Sequence, residues 1–248
     1  PIPYNLSDSD GFQIHAEEIS KLCTPKTQGI IINSPSNPTG TVLKRKVLEE
    51  IAGLAVEKNL LIISDEAYEH LVYGKAKHVS IASLNGMQKQ VLTLLSFSKS
   101  YAMPGFRLGY AVGPEELVKA MQKFHLYTSL SPNTMSQVAG ITALQKCRKD
   151  IERMRKEYAK RRKAILEGLK EVEGLEVNVE PEGAFYVFPK ITNAMNSNQA
   201  AEFLLKKAKV LGVPGNEFGT RGEGFLRFSY ATALPKIKIA IERMKKVF

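Results

Sequence analysis

The segment Leu94–Arg107, LLSFSKSYAMPGFR, brings an amine, hydroxyls and a guanidinium close together in the sequence. An apolar run of strand length leads into Ser96, Ser98 and Lys99, and Arg107 follows the lysine. In an open α/β sheet, ligands bind beyond the carboxyl ends of the strands. A lysine there can bond an aldehyde, and an arginine can bind a phosphate. We therefore expect Lys99 to hold an aldehyde cofactor and Arg107 to bind its phosphate.

Asn37, Asp65 and Tyr68 belong to the same expected site. Asn37 and Asp65 each lie just past another apolar run of strand length, and Tyr68 follows Asp65 closely. Taken singly, each has an ordinary structural explanation: Asp65 as a helix N-cap, Asn37 as a turn residue and Tyr68 as core packing. Together with Lys99 they should converge at one edge of a parallel sheet. A pyridine aldehyde phosphate needs an amine, a carboxylate for its ring nitrogen, donors for its phenolic oxygen and an anion site.

The elements that must position these residues are apolar strands alternating with amphipathic helices. Strands are expected at 29–33, 60–64, 91–96 and 107–112, and a helix at 44–58 gives a right-handed parallel crossover. Helices are expected from 134 to about 146 and over 148–170. The pattern of the C-terminal residues predicts a half-buried sheet with helices on one side. Its strands are expected at 175–179, 184–188 and 225–230, and its helices at 199–211 and 235–248. The chain thus divides into a large domain, 1–147, and a smaller α+β domain, 148–248.

Composition excludes several classes of protein. The chain has 248 residues, 44% hydrophobic and 24% charged, which is typical of globular proteins. It contains no apolar run of about 18 residues and no secretion signal, so no membrane span is expected and a cytoplasmic location is predicted. The two cysteines and four histidines have no metal-site spacing, so no metal is expected.

The net charge of +10 raises the alternative of nucleic-acid binding. Much of the excess lies in 148–170, where acidic residues are interleaved, as in a solvated helix. No aromatic-and-basic platform for single strands accompanies it. Nucleic-acid binding is therefore not expected to be the main function.

Five motifs resemble one known family. They are SPSNPTG (34–40), ISDEAYEHLVY (63–73), SFSKSYAMPGFRLGY (96–110), PEGAFYVFP (181–189) and GFLRFSYA (224–231). In this order and spacing they resemble the fold type I, pyridoxal-phosphate-dependent class I/II aminotransferases, especially the aspartate- and aromatic-type enzymes. The resemblance implies an α/β fold with a three-layer α/β/α large domain and a smaller α+β C-terminal domain.

The resemblance also implies a role for each candidate residue. Lys99, Asp65 and Tyr68 would be catalytic: Lys99 bonds the cofactor aldehyde, Asp65 pairs with the pyridine nitrogen, and Tyr68 binds the phenolic oxygen. The full cofactor-binding set would be Asn37, Asp65, Tyr68, Ser96, Ser98, Lys99 and Arg107. Arg227, with Asn37, would bind the substrate α-carboxylate. Residues 183–186 and Phe218 would neighbour the substrate pocket.

The expected activity is transfer of an amino group between an L-amino acid, aspartate or aromatic, and a 2-oxo acid, by a homodimer. A β-lyase would use the same residues to eliminate a side-chain group. A catalytically idle fragment acting as an interaction module is the alternative from another class.

The first residues enter the family pattern part-way through the large domain. The resemblance implies that a phosphate-binding turn, an aromatic residue stacking on the cofactor and a tyrosine reaching the partner subunit come earlier in full-length members. We therefore expect an N-terminally truncated chain with an incomplete large domain and exposed apolar edges. A separate N-terminal fragment is a candidate partner, and the isolated chain is expected to bind cofactor weakly or not at all.

Overall fold

The structure is a computed structural model that describes residues 1–248, and its main sheet has four strands. They are β1 (Gly29–Asn33), β2 (Leu61–Asp65), β3 (Val91–Ser96) and β4 (Gly109–Val112), in that spatial order. β1, β2 and β3 run parallel, and β4 is antiparallel to β3. Asn33 pairs with Asp65, and Asp65 with Leu94, so the ends of the three parallel strands lie side by side.

β4 is shorter than the strand expected at 107–112. Arg107 has a φ of 50°, in the left-handed region, where a residue cannot continue a strand. The preceding turn of 3₁₀ helix, Pro104–Phe106, brings the chain back toward β3. The arginine therefore belongs to the turn rather than to the strand.

Five helices accompany this sheet: α1 (Ala16–Leu22), α2 (Arg45–Glu57), α3 (Phe97–Ser100), α4 (Glu115–Ser129) and α5 (Thr134–Lys146). α2 fills the crossover between β1 and β2. Its buried face includes Leu48, Ile51 and Ala55, which share one apolar core with Ile30 and Ile62 of the sheet. Burying one face of the sheet in this way holds the strand ends, and the polar residues that follow them, in fixed positions.

α4 and α5 expose many apolar side chains. α4 contributes no buried residue to any core. We call the following residues the α4–α5 surface; all are exposed and large: Met121, Phe124, Leu126, Tyr127, Leu130, Met135, Val138, Ile141 and Leu144. Ile31 and Val112 of the sheet are also exposed. An apolar surface of this extent is unusual on a free monomer.

The second part of the chain begins with the long helix α6 (Arg148–Leu169). Short strands and two helices follow: β5 (Leu175–Glu176), β6 (Tyr186–Val187), β7 (Lys190–Ile191), α7 (Ser197–Phe203), β8 (Val213–Pro214), β9 (Leu226–Ser229) and α8 (Leu234–Met244). β5 pairs with β7, while β6, β9 and β8 form a separate sheet. These strands share a core with the inner faces of α6, α7 and α8.

This part differs from its sequence-based prediction in two ways. The single half-buried sheet is instead two small sheets, because the 175–179 strand pairs only over Leu175–Glu176. The helix expected at 199–211 begins earlier, because Asn196 caps it and forms a capping box with Gln199. Its last turn is a π-helix that ends at Lys209, which has a φ of 58°.

Three arginines of α6 hold segments outside the helix, and one of them, Arg155, connects the two parts of the chain. Arg155, Arg161 and Arg162 donate hydrogen bonds to main-chain carbonyls outside the helix, those of Val72, Ala231 and Pro181 respectively. Each arginine also pairs with a glutamate, Glu152, Glu157 or Glu180. The helix therefore fixes the segments that lead to Tyr68, Tyr186 and Arg227.

Candidate active site

Lys99 lies on α3, immediately beyond the end of β3. Ser96 caps this short helix: its hydroxyl accepts a hydrogen bond of 3.1 Å from the Ser98 amide. The amine of Lys99 is half-buried and lies 5.9 Å from the ring centroids of both Tyr68 and Phe185. The lysine thus points into an aromatic corner formed by both parts of the chain.

Tyr68 is buried in the turn that follows β2. Its hydroxyl lies 3.0 Å from the hydroxyl of Tyr186, a residue of β6. Burial, together with that hydrogen bond, raises the pKa of Tyr68 far above its usual value. Tyr68 therefore keeps its proton at neutral pH and remains a hydrogen-bond donor.

The ends of β1 and β2 are connected through Asn33. Its side-chain amide donates to the Asp65 carbonyl at 3.1 Å and accepts from the Asn37 amide at 2.9 Å. The Asp65 carboxylate accepts from the Ala67 amide at 3.1 Å, which fixes it at the start of the next turn. Asn33 was not singled out from the sequence, although it ends an apolar strand just as Asp65 does.

Arg227, on β9, faces the first part of the chain. Its Nη1 donates to Asn37 Oδ1 at 2.7 Å. The guanidinium carbon lies 4.4 Å from the Tyr186 ring centroid and 4.8 Å from that of Phe218, so two aromatic rings hold the group. Its Nε is buried and has no hydrogen-bond partner. A donor of this kind, held in place and unsatisfied, suits an anionic ligand.

Ser96, Ser98 and Arg107 lie at the same edge of the sheet. Ser96 pairs with Gly109 across β3 and β4, two positions beyond Arg107. Arg107 is exposed, and its Nη1 donates to the Pro104 carbonyl at 2.9 Å. The structure therefore connects Lys99, Tyr68, Tyr186, Arg227 and Asn37 through consecutive side-chain contacts. Ser96, Ser98 and Arg107 lie next to this series of contacts but make none of them.

Two glycines let the motifs of residues 34–40 and 181–189 pack backbone against backbone. The Gly40 carbonyl accepts from the amides of Glu182 (2.9 Å) and Gly183 (2.7 Å). A Cβ on Gly40 would lie 2.3 Å from Pro181 Cβ, and one on Gly183 would lie 2.5 Å from Pro35 Cβ. This close approach sets Asn37 in place relative to Tyr186.

An open groove of about 1190 Å³ runs beside this site. It is lined by Ser100–Ala102, just after Lys99, and by one side of α6 that includes Met154 and Tyr158. Tyr158 also packs against Phe185, with ring centroids 5.6 Å apart. The groove therefore borders the aromatic corner around Lys99 through Ser100 and Tyr158.

Histidine, cysteine, aspartate and glutamate side chains form no group that could hold a metal ion. None of the helices is both long enough and apolar enough to span a membrane.

Solved structures of known proteins share this architecture. The aromatic aminotransferase from Pyrococcus horikoshii superposes with a TM-score of 0.94 at 47% identity, covering 98% of this chain and 65% of that one. The aspartate aminotransferase from Thermus thermophilus with maleate gives a TM-score of 0.92 at 39% identity, covering 98% and 63%. The fold is therefore that of the fold type I aminotransferases.

Sequence comparison gives the family. The family model described as "Aminotransferase class I and II" matches residues 1–244. Aspartate aminotransferase of Pyrococcus abyssi is 47% identical over 250 residues, and aromatic-amino-acid aminotransferase 2 of Thermococcus litoralis is 45% identical. The chain belongs to the class I and II aminotransferase family, as the five motifs indicated. It spans 64% of the length of both relatives.

Proposed function

We propose that this chain carries the central part of a pyridoxal-phosphate-dependent aminotransferase site, which moves an amino group between an L-amino acid and a 2-oxo acid. One observation carries the proposal: contacts run without a break from the Lys99 amine through Tyr68 and Tyr186 to the guanidinium of Arg227. An amine that can bond an aldehyde thus faces a cation that can bind a carboxylate.

The donor set fits the cofactor. Pyridoxal phosphate would supply an aldehyde for the amine and a protonated ring that accepts electrons from the substrate Cα. Lys99 would bond the aldehyde, Asp65 would hold the ring-nitrogen proton, and Asn37 with Tyr68 would donate to the phenolic oxygen. The donors for the phosphate would be Ser96, Ser98 and Arg107.

Each of these residues then has a physical task. The amine of Lys99 would take the proton from the substrate Cα and return it. Tyr68 stays neutral because of its burial, so it can donate throughout. Arg227 holds the α-carboxylate by a fork of two donors, its buried Nε and a neighbouring guanidinium nitrogen. The aromatic rings around it exclude water and strengthen that pair.

Aspartate or an aromatic amino acid is the proposed amino donor. The support comes from the names of the relatives, which include aspartate and aromatic-amino-acid aminotransferases. The Thermus thermophilus neighbour was solved with maleate, a dicarboxylate. Arg227 is compatible with both kinds of amino acid, aspartate and aromatic, since each carries the α-carboxylate with which the arginine would pair.

Organisation and assembly are proposed alongside the activity. We place the division between a large domain, 1–147, and a small domain, 148–248, at the start of α6 (Arg148–Leu169). We further propose a homodimer, supported by the exposed α4–α5 surface. A cytoplasmic location remains a prediction. Sedimentation of the chain over a range of concentrations tests the dimer, and a monomer at every concentration would contradict it.

The site is tested by trapping the cofactor. The chain is mixed with pyridoxal phosphate, reduced with borohydride and mapped by mass spectrometry, alone and fused to the portion of the Pyrococcus abyssi relative that lies outside the alignment. Fixation at Lys99 is expected in the fusion. Fixation at other lysines, or at none, would contradict the proposal.

The β-lyase alternative uses the same residues and is separated by its products. The fusion is incubated with aspartate, phenylalanine or cysteine, with and without 2-oxoglutarate. Amino transfer that needs the oxo acid supports the aminotransferase. Release of pyruvate and ammonia without it would support the lyase.

A further inference from the structure

Glu66 is a buried acid directly after Asp65, and none of the roles above uses it. Glu66 is only 2% exposed, and its carboxylate accepts three hydrogen bonds. Ser64 and Ser80 donate their hydroxyls to Oε1, each at 2.8 Å. His78 Nε2 lies 2.8 Å from Oε2. Ser64 shares its side of the strand with Glu66, whereas alternation along the strand turns Asp65 to the other side.

The three donors come from two places in the chain. Ser64 belongs to β2 itself, while His78 and Ser80 belong to the loop that returns after the turn. His78 Nδ1 is buried without a partner, so the hydrogen bond to Glu66 is what holds that ring. A buried carboxylate is costly unless its oxygens are satisfied, so the loop must keep its position for Glu66 to stay buried.

Main-chain hydrogen bonds fix the same residue. The Glu66 amide donates to the Leu94 carbonyl of β3 at 2.9 Å, and the Glu66 carbonyl accepts from the Glu69 amide at 2.9 Å. The turn from Asp65 to Leu71, which carries Tyr68, therefore starts from a residue held through both its backbone and its side chain. Motion of Glu66 would move Asp65 and Tyr68 together.

We propose that Glu66 is a positioning residue that, with His78 and Ser80, sets where Asp65 and Tyr68 stand relative to Lys99. Its effect on cofactor binding rests on the function proposed above, whereas its effect on the turn does not. Well-packed apolar side chains in place of Glu66, His78 and Ser80 would stabilise the fold as well as these polar groups or better. A network of fixed donors instead specifies one conformation of the turn.

Glu66→Gln tests the proposal. The amide replaces one acceptor oxygen by NH₂, so it cannot accept from both serines and also from His78. Hydrogen exchange of the peptide covering 66–71 should become at least tenfold faster, while exchange in β1 (Gly29–Asn33) stays unchanged. Ser197→Ala is the control, since Ser197 is fully buried and its hydroxyl accepts from the Gly224 amide far along the chain.

Equal acceleration across 66–71 and β1, or none at 66–71, would overturn the proposal, because a general loss of stability affects both. If Glu66→Gln does not fold, Ser80→Ala removes one donor and keeps the His78 pair. It should then give a smaller change confined to 66–71, and a change elsewhere would again contradict the proposal.

The second readout is the dissociation constant for pyridoxal phosphate, measured by fluorescence on the fusion described above. Glu66→Gln should raise it at least tenfold and Ser197→Ala should leave it unchanged. Equal effects of the two variants would contradict the positioning role. If the wild-type fusion binds no cofactor, the proposed function fails, while the exchange measurement still decides whether Glu66 sets the turn.

Discussion

Arg227 donates a hydrogen bond of 2.7 Å to Asn37, although the two residues are 190 positions apart in the sequence. Asn37 follows the first strand of the large sheet, and Arg227 lies in the small sheet near the other end of the chain. Both side chains were assigned to the substrate carboxylate on sequence grounds. Their direct contact means that Asn37 orients the guanidinium before any carboxylate arrives, which lowers the entropic cost of binding.

Replacing Arg227 by leucine should weaken carboxylate binding by about 2–4 kcal/mol, because the desolvated ion pair is lost. The measurement is the dissociation constant of a dicarboxylate such as maleate. Arg221→Leu is the matched control, because Arg221 is an exposed arginine of the same part of the chain. An equal loss in both variants would argue against a specific carboxylate site.

Lys99→Ala should abolish borohydride fixation of pyridoxal phosphate and leave the circular dichroism spectrum unchanged. The amine is half-buried and makes no salt bridge, so the fold loses little when it is removed. Lys75→Ala, at an exposed position, should retain fixation at Lys99. Turnover that persists without Lys99 would refute its assignment.

Tyr68→Phe should lower the free energy of unfolding by about 1–3 kcal/mol, because it leaves the hydroxyl of Tyr186 unpaired in a buried place. Removing both hydroxyls in Tyr68→Phe/Tyr186→Phe should recover much of the loss. Urea unfolding of the two single variants and the double variant gives the coupling energy. Additive losses would mean that the two hydroxyls do not interact.

Gly40→Ala should destabilise the chain by about 2–4 kcal/mol, since its Cβ would collide with Pro181 and its φ is 71°. Gly53→Ala is the matched control. Gly53 lies in α2, where a Cβ meets no atom within 4 Å, and alanine should stabilise the helix by about 0.5–1 kcal/mol. Thermal unfolding measures both, and a neutral Gly40→Ala would contradict the close packing of the two motifs.

Glu69 should make stability depend on pH. Burial raises the pKa of Glu69 to about 7, with the nearby charge of His78 opposing and that of Glu66 adding to the rise. The folded state therefore holds this proton at a pH where the unfolded state has released it. The contribution to stability is fully present below about 4.5, the usual pKa of a glutamate, and is lost as the pH rises through 7.

Comparing the wild-type chain with Glu69→Gln isolates that contribution. The glutamine variant cannot lose the proton, so the difference in unfolding free energy should grow in its favour between pH 5 and 8. His70, whose pKa is lowered by burial, lies with its Nε2 only 3.6 Å from Glu69 Oε1, so the same comparison is repeated in a His70→Asn background to remove its titration. A difference that is constant with pH would show that Glu69 titrates normally.

The sequence alone predicts the strand-end residues of the site because one physical signal repeats. An apolar run buried in a parallel sheet must end in polar residues; Asp65 directly follows such a run, and Lys99 follows another within a few residues. Asn33 carries the same signal, yet its amide serves only to connect two strand ends. The pattern thus locates the edge of the sheet, but it does not distinguish residues that act on the cofactor or substrate from residues that hold the structure in place.

What the sequence could not predict depends on tertiary contacts. The contacts of Arg227 with Tyr186 and Phe218 join side chains from separate strands and a turn, so no local sequence pattern contains them. The three donors of Glu66 likewise come from residues on both sides of a turn. The direction of β4 depended on the left-handed conformation of Arg107, which is rare for a residue with a side chain.

The arginines of α6 place a limit on changes of chain length. Arg155 precedes Arg161 and Arg162 along one helix, and their carbonyl partners lie in three separate segments. One residue inserted between them would rotate the later arginines by about 100° around the helix axis, away from both partners. Seven inserted residues would restore the rotation to within about 20° but shift them by about 10 Å. The number of residues between these arginines is therefore constrained by the site. In exposed loops such as the one at Gly86, no such constraint acts on length.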